Sequence, residues 1–243
     1  MPTSLLETGF LRRERGELAL LLGALALILL GLAFFALAGD VLEGDTQRFD
    51  ERVLRALRRP DQPDTPIGPR WLRIAALDIT ALGSASVLGL TVAAIVGFLW
   101  LQRMRRMAVF VLAASVGGWV LNNVLKTIFQ RPRPDVVSHL RDVMPLSFPS
   151  GHAMTSAAIY LTLGALLMRV AERPLAKIYC MAVAMIATFM IGLTRVYLGV
   201  HYPTDVLAGW LIGICWALLC WLVERLVERR VGIRRERQAS QNA

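Results

Sequence analysis

The sequence is short of the residues that build disulfide frameworks and metal clusters. It has 243 residues but only three cysteines, an odd number with no metal-type spacing. All three, Cys180, Cys215 and Cys220, fall within apolar stretches, which favours small buried side chains over disulfides or metal ligands. Histidine is equally scarce, with three in the chain.

Charged and aromatic residues are also few. They make up 19% and 8% of the chain, whereas hydrophobic residues make up 56%. A soluble domain of this length is more polar, so the composition excludes an ordinary soluble protein. The apolar residues form long runs that do not alternate with polar ones, which excludes a barrel of strands and predicts membrane-crossing helices. The runs therefore predict an all-α protein. The sequence has no internal repeat and no low-complexity segment, so we predict a single domain over residues 1–243.

Six apolar runs predict a bundle of six transmembrane helices. The first run exceeds the roughly 7–15 apolar residues of a signal peptide core, so we expect it to be retained as a helix. The fourth run is short only because His152 and Arg169 border it, and a residue or two of helix at each end completes the span. The predicted spans cover residues 18–39, 79–102, 107–127, 152–170, 177–194 and 204–223.

Basic residues are distributed unevenly around these helices. The chain has 27 Lys and Arg against 18 Asp and Glu, a formal net charge of +9. The basic clusters precede helix 1, separate helices 2 and 3 and helices 4 and 5, and follow helix 6, so all lie on one side of the membrane. This positive-inside pattern predicts cytoplasmic termini in a bacterial inner membrane, and a basic tail that faces lipid and not nucleic acid. The clusters contain Arg12, Arg13, Arg15, Arg103, Arg105, Arg106, Arg169, Arg173, Lys177, Arg225, Arg229, Arg230, Arg234, Arg235 and Arg237.

The first outward loop, residues 40–78, contains an additional predicted helix. The stretch TQRFDERVLRALRR predicts an amphipathic helix that is capped by Thr46 and ends before Pro60. This helix lies either on the membrane surface or against the bundle, and the sequence does not favour one alternative. The Pro-rich stretch after it predicts a loop. The apolar face of the helix would consist of Phe49, Val53, Ala56 and Leu57.

The other two outward segments contain an unusual set of polar residues. Positive-inside bias disfavours cations there, so Lys126, Arg133 and Arg195 require a local anionic partner. His201 precedes Asp205 by four residues, one helical turn, so the carboxylate can orient the imidazole.

Together with His152 at the start of the fourth span, these residues are the parts needed for phosphoryl transfer. Cations neutralise a phosphate and its transition state, while one histidine attacks phosphorus and the other protonates the leaving oxygen. Two histidines and a carboxylate are also metal ligands, but three nearby cations oppose a metal ion. We therefore expect hydrolysis without a metal or another cofactor.

Three spaced motifs resemble the type 2 phosphatidic acid phosphatase family, which includes lipid phosphate phosphatases, vanadium haloperoxidases and bacterial acid phosphatases. The family pattern is K-x6-R-P, then P-S-G-H, then S-R-x5-H-x3-D. Every spacing matches, and the one departure, Thr194 in place of Ser, keeps the hydroxyl group. The motifs are KTIFQRPRP (126–134), PSGH (149–152) and TRVYLGVHYPTD (194–205).

The resemblance implies a role for each matching residue. His201 would be the nucleophile that forms a phosphohistidine, Asp205 would orient it, and His152 would protonate the leaving oxygen. Arg131 and His139 match no motif position, so we expect them to be ordinary loop residues. The phosphate would be bound by Lys126, Arg133, Arg195, Ser150 and the backbone N–H of Gly151.

Ser150 also has the residue type and position of an N-cap for the helix that follows.

The expected partner is a phosphorylated membrane lipid that reaches the periplasmic site laterally. Undecaprenyl diphosphate is the first candidate, with phosphatidylglycerol phosphate, phosphatidate and lipid A phosphates as alternatives within the family. A lipid-to-lipid phosphotransferase would use the same phosphohistidine. A non-catalytic lipid-binding protein would need cations but no acid–base pair, and the soluble haloperoxidases lack six apolar spans.

Overall fold

The chain folds as an all-α helical bundle in a computed structural model that describes residues 3–135 and 146–241. Within these residues it has eight helices and one short hairpin. The elements are α1 (Thr3–Glu43), α2 (Gln47–Ala56), β1 (Arg58–Arg59), β2 (Gln62–Pro66), α3 (Arg70–Ala81), α4 (Ala85–Leu101), α5 (Arg105–Phe129), α6 (Gly151–Val170), α7 (Pro174–Tyr197) and α8 (Pro203–Gln241).

Five of the described helices, α1, α5, α6, α7 and α8, are long and apolar enough to cross a membrane. The pair α3 and α4 provides a sixth span if the two helices are counted as one. Five of the six predicted spans lie inside α1, α5, α6, α7 and α8. The sixth, a continuous helix over residues 79–102, is wrong, because the chain bends by 47° between α3 and α4.

The bend has a local cause on each side. Gly83 lies so close to α7 that an added Cβ would be 2.5 Å from the Ile191 Cγ2 atom. Ser84 then begins a new helix, because its hydroxyl accepts a hydrogen bond from the backbone N–H of Val87 at 3.3 Å. Residues 79–102 form an uncharged, largely apolar run that continues across this bend, which is why the apolar pattern alone predicts one helix.

Helix α6 lies at the centre of the bundle. Half of its membrane-crossing window is buried, compared with 11–28% for the other four single-helix spans. Small residues allow α8 to approach it closely: a Cβ on Gly209 would be 2.7 Å from the Ser150 carbonyl oxygen, and one on Gly213 would be 2.6 Å from the Ala157 Cβ. This contact holds the start of α6 against the first turns of α8.

Helix α2 packs against the bundle. Leu54 is fully buried in a cluster with Ala153, Tyr202 and Val206, which supports the packing alternative. The predicted apolar face is correct for Val53 and Leu57, which pack against this cluster, but wrong for Phe49, which is 55% exposed, and for Ala56, which is also exposed. Asp50 and Leu54 are the buried residues of the helix.

The hydrogen-bonding partners of Asp50, described below, make its burial favourable.

Two local predictions around α2 also need correction. Thr46 occupies the N-cap position, but its hydroxyl makes no capping hydrogen bond. The Pro-rich stretch after the helix forms the antiparallel β1–β2 hairpin, with Arg58 paired to Pro66 and Arg59 to Gln62.

Candidate active site

The three motif segments meet at one end of the bundle. The carboxyl end of α5 and the segment after it, the start of α6, and the connection from α7 to α8 surround one cavity of about 1520 Å³. The predicted site residues that line this cavity are Lys126, Arg133, Gly151, His152, Arg195 and His201. Ser150 and Asp205 are fully buried and are not part of the lining.

His201 is buried, and both of its ring nitrogens have a neighbouring polar group. Its side chain is 1% exposed, with Nε2 at 3.0 Å from Arg133 Nη1 and Nδ1 at 3.4 Å from Asp205 Oδ2. Arg133 can only donate, so we assign the lone pair to Nε2 and the proton to Nδ1, which faces the carboxylate. Burial lowers the pKa of His201 well below its ordinary value, and Arg133, Arg195 and Lys126 lower it further. The imidazole is therefore neutral at pH 7 and presents a nucleophilic nitrogen beside the guanidinium group.

Asp205 lies in the first turn of α8, directly behind His201. Its Oδ2 atom accepts a hydrogen bond from the backbone N–H of Tyr202 at 2.9 Å. Pro203 begins the helix, where its missing N–H leaves no intrahelical partner unsatisfied. The carboxylate is thus held by the same turn that carries the imidazole.

Ser150 joins α6 to this turn through its backbone. Its N–H donates to the backbone carbonyl of Asp205 at 2.9 Å. The expected side-chain cap is wrong: Ser150 occupies the N-cap position of α6, but its hydroxyl makes no capping hydrogen bond and has no partner among the described residues.

Three cations approach the cavity from different elements. Lys126 extends from the last turn of α5 and donates to the Leu146 carbonyl at 3.0 Å. Arg195 of α7 is 1% exposed and donates to the Thr80 hydroxyl at 3.1 Å. Arg133 donates to the Val200 carbonyl, and burial lowers its pKa to about 10, so it stays cationic at pH 7. Cations on three sides of one cavity match the distributed charge of a phosphoryl group.

His152 lies half-buried in the first turn of α6 and lines the same cavity as His201. The bend between α3 and α4 passes beside it, since a Cβ on Gly83 would be 3.2 Å from the His152 Cδ2 atom. Gly151 allows close approach of α5, because an added Cβ would be 3.3 Å from the Asn122 side chain.

Arg131, expected to be an ordinary loop residue, is a buried part of the site. Its guanidinium contacts Asp205 Oδ1 at 2.7 Å and Asp50 Oδ2 at 2.9 Å. Burial alone would lower the pKa of Arg131, but the two carboxylates outweigh burial and raise it.

The motif does not identify Arg131, because this residue falls at one of the six unspecified positions of K-x6-R-P. Asp50 gives a partial indication, because it is a carboxylate on the same face of the arginine-containing helix as the apolar Leu54. His139, the other residue expected to be ordinary, lies outside the described residues.

The cavity continues from these polar groups as an apolar groove between α4 and α5. Val92, Val96 and Trp100 line it along α4, and Val116 and Trp119 line it along α5. The groove therefore joins a cationic pocket at one end of the bundle to the hydrocarbon region of the membrane.

The donor set suits an anion better than a metal ion. In the parts of the chain that the structure describes, no three His, Cys, Asp or Glu side chains lie together in a geometry that could hold a metal. His201 and Asp205 contact Arg133 and Arg131 instead, and a divalent cation between them would meet like charge.

Comparison with known proteins assigns the class. Residues 106–228 match the model of the PAP2 superfamily, about half of the chain, and the chain belongs to this family. The protein is therefore an integral-membrane hydrolase of the lipid phosphatase class.

Particular relatives extend the match beyond the motifs. The chain is 32% identical to phosphatidylglycerophosphatase B of Bacillus subtilis over 210 residues, 85% of this chain and 96% of the relative. It is 30% identical to an undecaprenyl-diphosphatase of Sulfolobus acidocaldarius, over 46% of this chain and 52% of the relative. The crystal structure of a transmembrane PAP2-type phosphatidylglycerolphosphate phosphatase from Bacillus subtilis superposes with a TM-score of 0.74 at 29% identity, covering 83% of this chain and 96% of that one.

Proposed function

We propose that the protein removes phosphate from a membrane lipid through a covalent phosphohistidine at His201, without a metal ion. The observation that carries this proposal is the geometry of His201: its Nε2 lies 3.0 Å from Arg133 at the wall of the cavity, while its Nδ1 faces Asp205. A neutral nitrogen with an oriented lone pair beside phosphate-binding cations is an activated nucleophile.

The first chemical step transfers the phosphoryl group. His201 Nε2 forms a bond to phosphorus as the bond from phosphorus to the lipid oxygen breaks, and His152 gives its proton to that oxygen. The Nδ1–H group donates to Asp205, which stabilises the positive charge that the imidazole gains. Lys126, Arg133 and Arg195 neutralise the phosphoryl oxygens.

The second step returns the enzyme to its starting state. Water attacks phosphorus, the P–N bond breaks, and His152 takes a proton from the attacking water, which restores the protonated state it had before the first step. Inorganic phosphate leaves, and His201 regains its lone pair. A lipid hydroxyl in place of water would make the protein a phosphotransferase, and the same residues would serve that reaction.

The substrate we place first is phosphatidylglycerol phosphate. The relative that carries this activity in its name matches over 96% of its length, whereas the undecaprenyl-diphosphatase matches over 52%. Undecaprenyl diphosphate, the first candidate from the sequence, is the second candidate here. The apolar groove between α4 and α5 supports a lipid over a soluble ester, because a chain attached to the phosphate has an apolar channel to occupy.

We also propose that the site faces the periplasm of a bacterial inner membrane, with both termini in the cytoplasm. The basic segments 102–106 and 169–177 lie at the end of the bundle opposite the motif segments, because successive spans run in opposite directions.

The experiment is phosphate release by the detergent-purified protein from phosphatidylglycerol phosphate, undecaprenyl diphosphate, phosphatidate, lipid A phosphate and water-soluble glycerol phosphate. Phosphatidylglycerol phosphate should give the highest kcat/KM, glycerol phosphate the lowest, and chelator should leave all rates unchanged. His201→Ala should lose about 10⁴-fold or more, and rapid acid-free quenching of the wild type should trap an acid-labile phosphoryl group that this variant lacks.

The matched control is Asp61→Ala, an exposed residue in the turn of the hairpin, which should behave as wild type. Full turnover by His201→Ala would overturn the phosphohistidine, and strong inhibition by chelator would overturn the metal-independent reaction. Phosphate recovered on an added lipid alcohol would identify a phosphotransferase.

A further inference from the structure

Arg131 bridges two fully buried carboxylates that belong to different elements. Asp50 comes from α2, in the loop after the first span, and Asp205 comes from the first turn of α8. The Arg131 side chain is 11% exposed, with Nη2 at 2.9 Å from Asp50 Oδ2 and Nη1 at 2.7 Å from Asp205 Oδ1. Two charge-assisted contacts of this length at a desolvated position fix all three groups relative to one another.

Thr204 completes the bridge. Its backbone N–H donates to Asp50 Oδ1 at 3.1 Å and its hydroxyl donates to Asp50 Oδ2 at 2.6 Å. Asp50 therefore caps the amino terminus of α8 from another helix, where a carboxylate is favoured by the free N–H groups. The guanidinium also lies over the Tyr202 ring, 4.3 Å from its centre.

The backbone of Arg131 is held as firmly as its side chain. Its carbonyl accepts from the Ser147 N–H at 2.9 Å, and the next residue, Pro132, pairs with Leu146 in an isolated antiparallel bridge. Arg133, two residues further on, is positioned against His201 by the same extended segment.

The two oxygens of the Asp205 carboxylate contact different partners. Oδ1 faces Arg131, which leaves Oδ2 for the Tyr202 N–H and for His201 Nδ1. The His201–Asp205 pair is surrounded by charges from every packed element: Asp50 from α2, Lys126 from α5, Arg131 and Arg133 from the segment after it, His152 from α6 and Arg195 from α7. Arg131 is the cation that touches the carboxylate directly.

We propose that Arg131 and Asp50 are positioning residues for the catalytic pair: Arg131 orients the Asp205 carboxylate and offsets its charge, and Asp50 holds Arg131 in place. This inference rests on the proposed role of His201 as a nucleophile that must be neutral in the free enzyme. It also gives α2 a function, because the loop helix carries one end of the bridge.

The proposal predicts opposite pH shifts from the two ends of the bridge. Without the Arg131 charge, the buried His201–Asp205 pair takes up a proton more readily, so Arg131→Met should move the acid limb of kcat/KM upward by roughly one pH unit. Without the Asp50 charge, the pair takes up a proton less readily, so Asp50→Asn should move the limb downward by a few tenths of a unit. Arg131→Lys keeps the charge and should lie between wild type and Arg131→Met.

The measurement is the pH profile of kcat/KM for the full-length protein in detergent, with Arg55→Met as the matched control. Arg55 lies on α2, the helix that carries Asp50, and forms an exposed ion pair with Glu51 at 3.7 Å. Removing the Arg55 charge should leave the pH profile unchanged. A purely structural bridge would lower the amplitude of the profile in both variants without moving the acid limb, and that result, or two shifts in the same direction, would overturn the proposal.

A second variant and a second measurement allow the bridge to be tested even if one variant does not fold. Asp50→Asn has the shape of the native residue and can still accept from Thr204, so it carries the test if Arg131→Met fails to fold. Trapping of phosphohistidine at His201 distinguishes failure of the proposed function from failure of the bridge proposal. Its absence overturns the proposed function, whereas its presence with unmoved acid limbs overturns only the role of the bridge.

Discussion

At the residue scale, the site keeps one histidine neutral among cations. His201 is buried beside Arg133, and burial together with the nearby cations lowers its pKa. The free imidazole is then a nucleophile at neutral pH, and the activity attributed to it should persist well below pH 6.5. His152 has a different environment, half-buried in the first turn of α6, and serves as the proton donor and acceptor in the proposed reaction.

The proton donor can be tested through the leaving group. His152→Ala should lower the rate of lipid phosphate hydrolysis by about 10²–10⁴-fold, since an alkoxide must be protonated as it leaves. Phosphoryl transfer from p-nitrophenyl phosphate should fall much less, because nitrophenolate leaves without a proton. Stopped-flow measurement should show a burst of nitrophenolate followed by slow turnover, since the second step still needs a base.

An equal loss of phosphoryl transfer from both substrates would assign His152 to phosphate binding and not to proton transfer.

At the element scale, the relative position of α6 and α8 decides whether the two histidines face one cavity. Gly209 and Gly213 remove the side chains that would separate these helices, and the Ser150 N–H bonds to the carbonyl of Asp205. This close packing places the first turn of α6 beside the first turn of α8. The site therefore depends on a contact that contains none of the catalytic side chains.

Substitution at this contact should reduce both stability and activity. A Cβ on Gly213 would lie 2.6 Å from the Met154 carbonyl oxygen and from the Ala157 Cβ. Gly213→Ala should cost about 1–3 kcal/mol through overpacking, with a lower Tm in detergent and a reduced kcat. Gly31→Ala is the matched control, because apart from the adjacent residues and the backbone of its own helix no described atom lies within 4 Å of a Cβ at that position of α1.

Helix propensity sharpens this comparison. Alanine is favoured over glycine by about 1 kcal/mol in a helix, so Gly31→Ala should be neutral or slightly stabilising. Equal Tm and kcat values in the two variants would show that the contact between α6 and α8 has room for a methyl group.

At the scale of the whole molecule, the helices separate two chemically different ends. One end carries the three motif segments, the loop helix α2 and the hairpin, and the other carries the basic turns. An apolar groove beside α4 and α5 leads from the first end into the hydrocarbon region. A substrate with a charged head and an apolar tail fits this division without leaving the bilayer.

The proposed orientation predicts which turns are accessible from each side. Asp61→Cys, in the exposed hairpin turn, should react with a membrane-impermeant maleimide in cells whose outer membrane has been permeabilised. Gln102→Cys, in the exposed turn between α4 and α5, should react only after the inner membrane is lysed. The wild-type protein corrects for the native cysteines, and the reverse labelling pattern would invert the topology.

The class of the protein follows from its sequence, and the sequence also predicts polar residues that line one cavity in the folded chain. Apolar runs of membrane-crossing length predict the spans because lipid leaves backbone groups no partner outside a helix. The spacing of the three motifs predicts which cations and histidines belong together. Apolar runs and motif spacings are local features of the sequence, so they can be identified without knowing how distant segments pack.

How these segments pack against one another follows from contacts between residues that are far apart in the chain. The bend at Gly83 follows from the close approach of Ile191 on α7, and the inward face of α2 follows from Asp50 meeting Thr204 and Arg131. A buried carboxylate is favourable only where its partners lie, and those partners are 81 and 154 residues away in the chain. For the same reason Arg131, two residues before a motif arginine, becomes part of the site only in the folded chain.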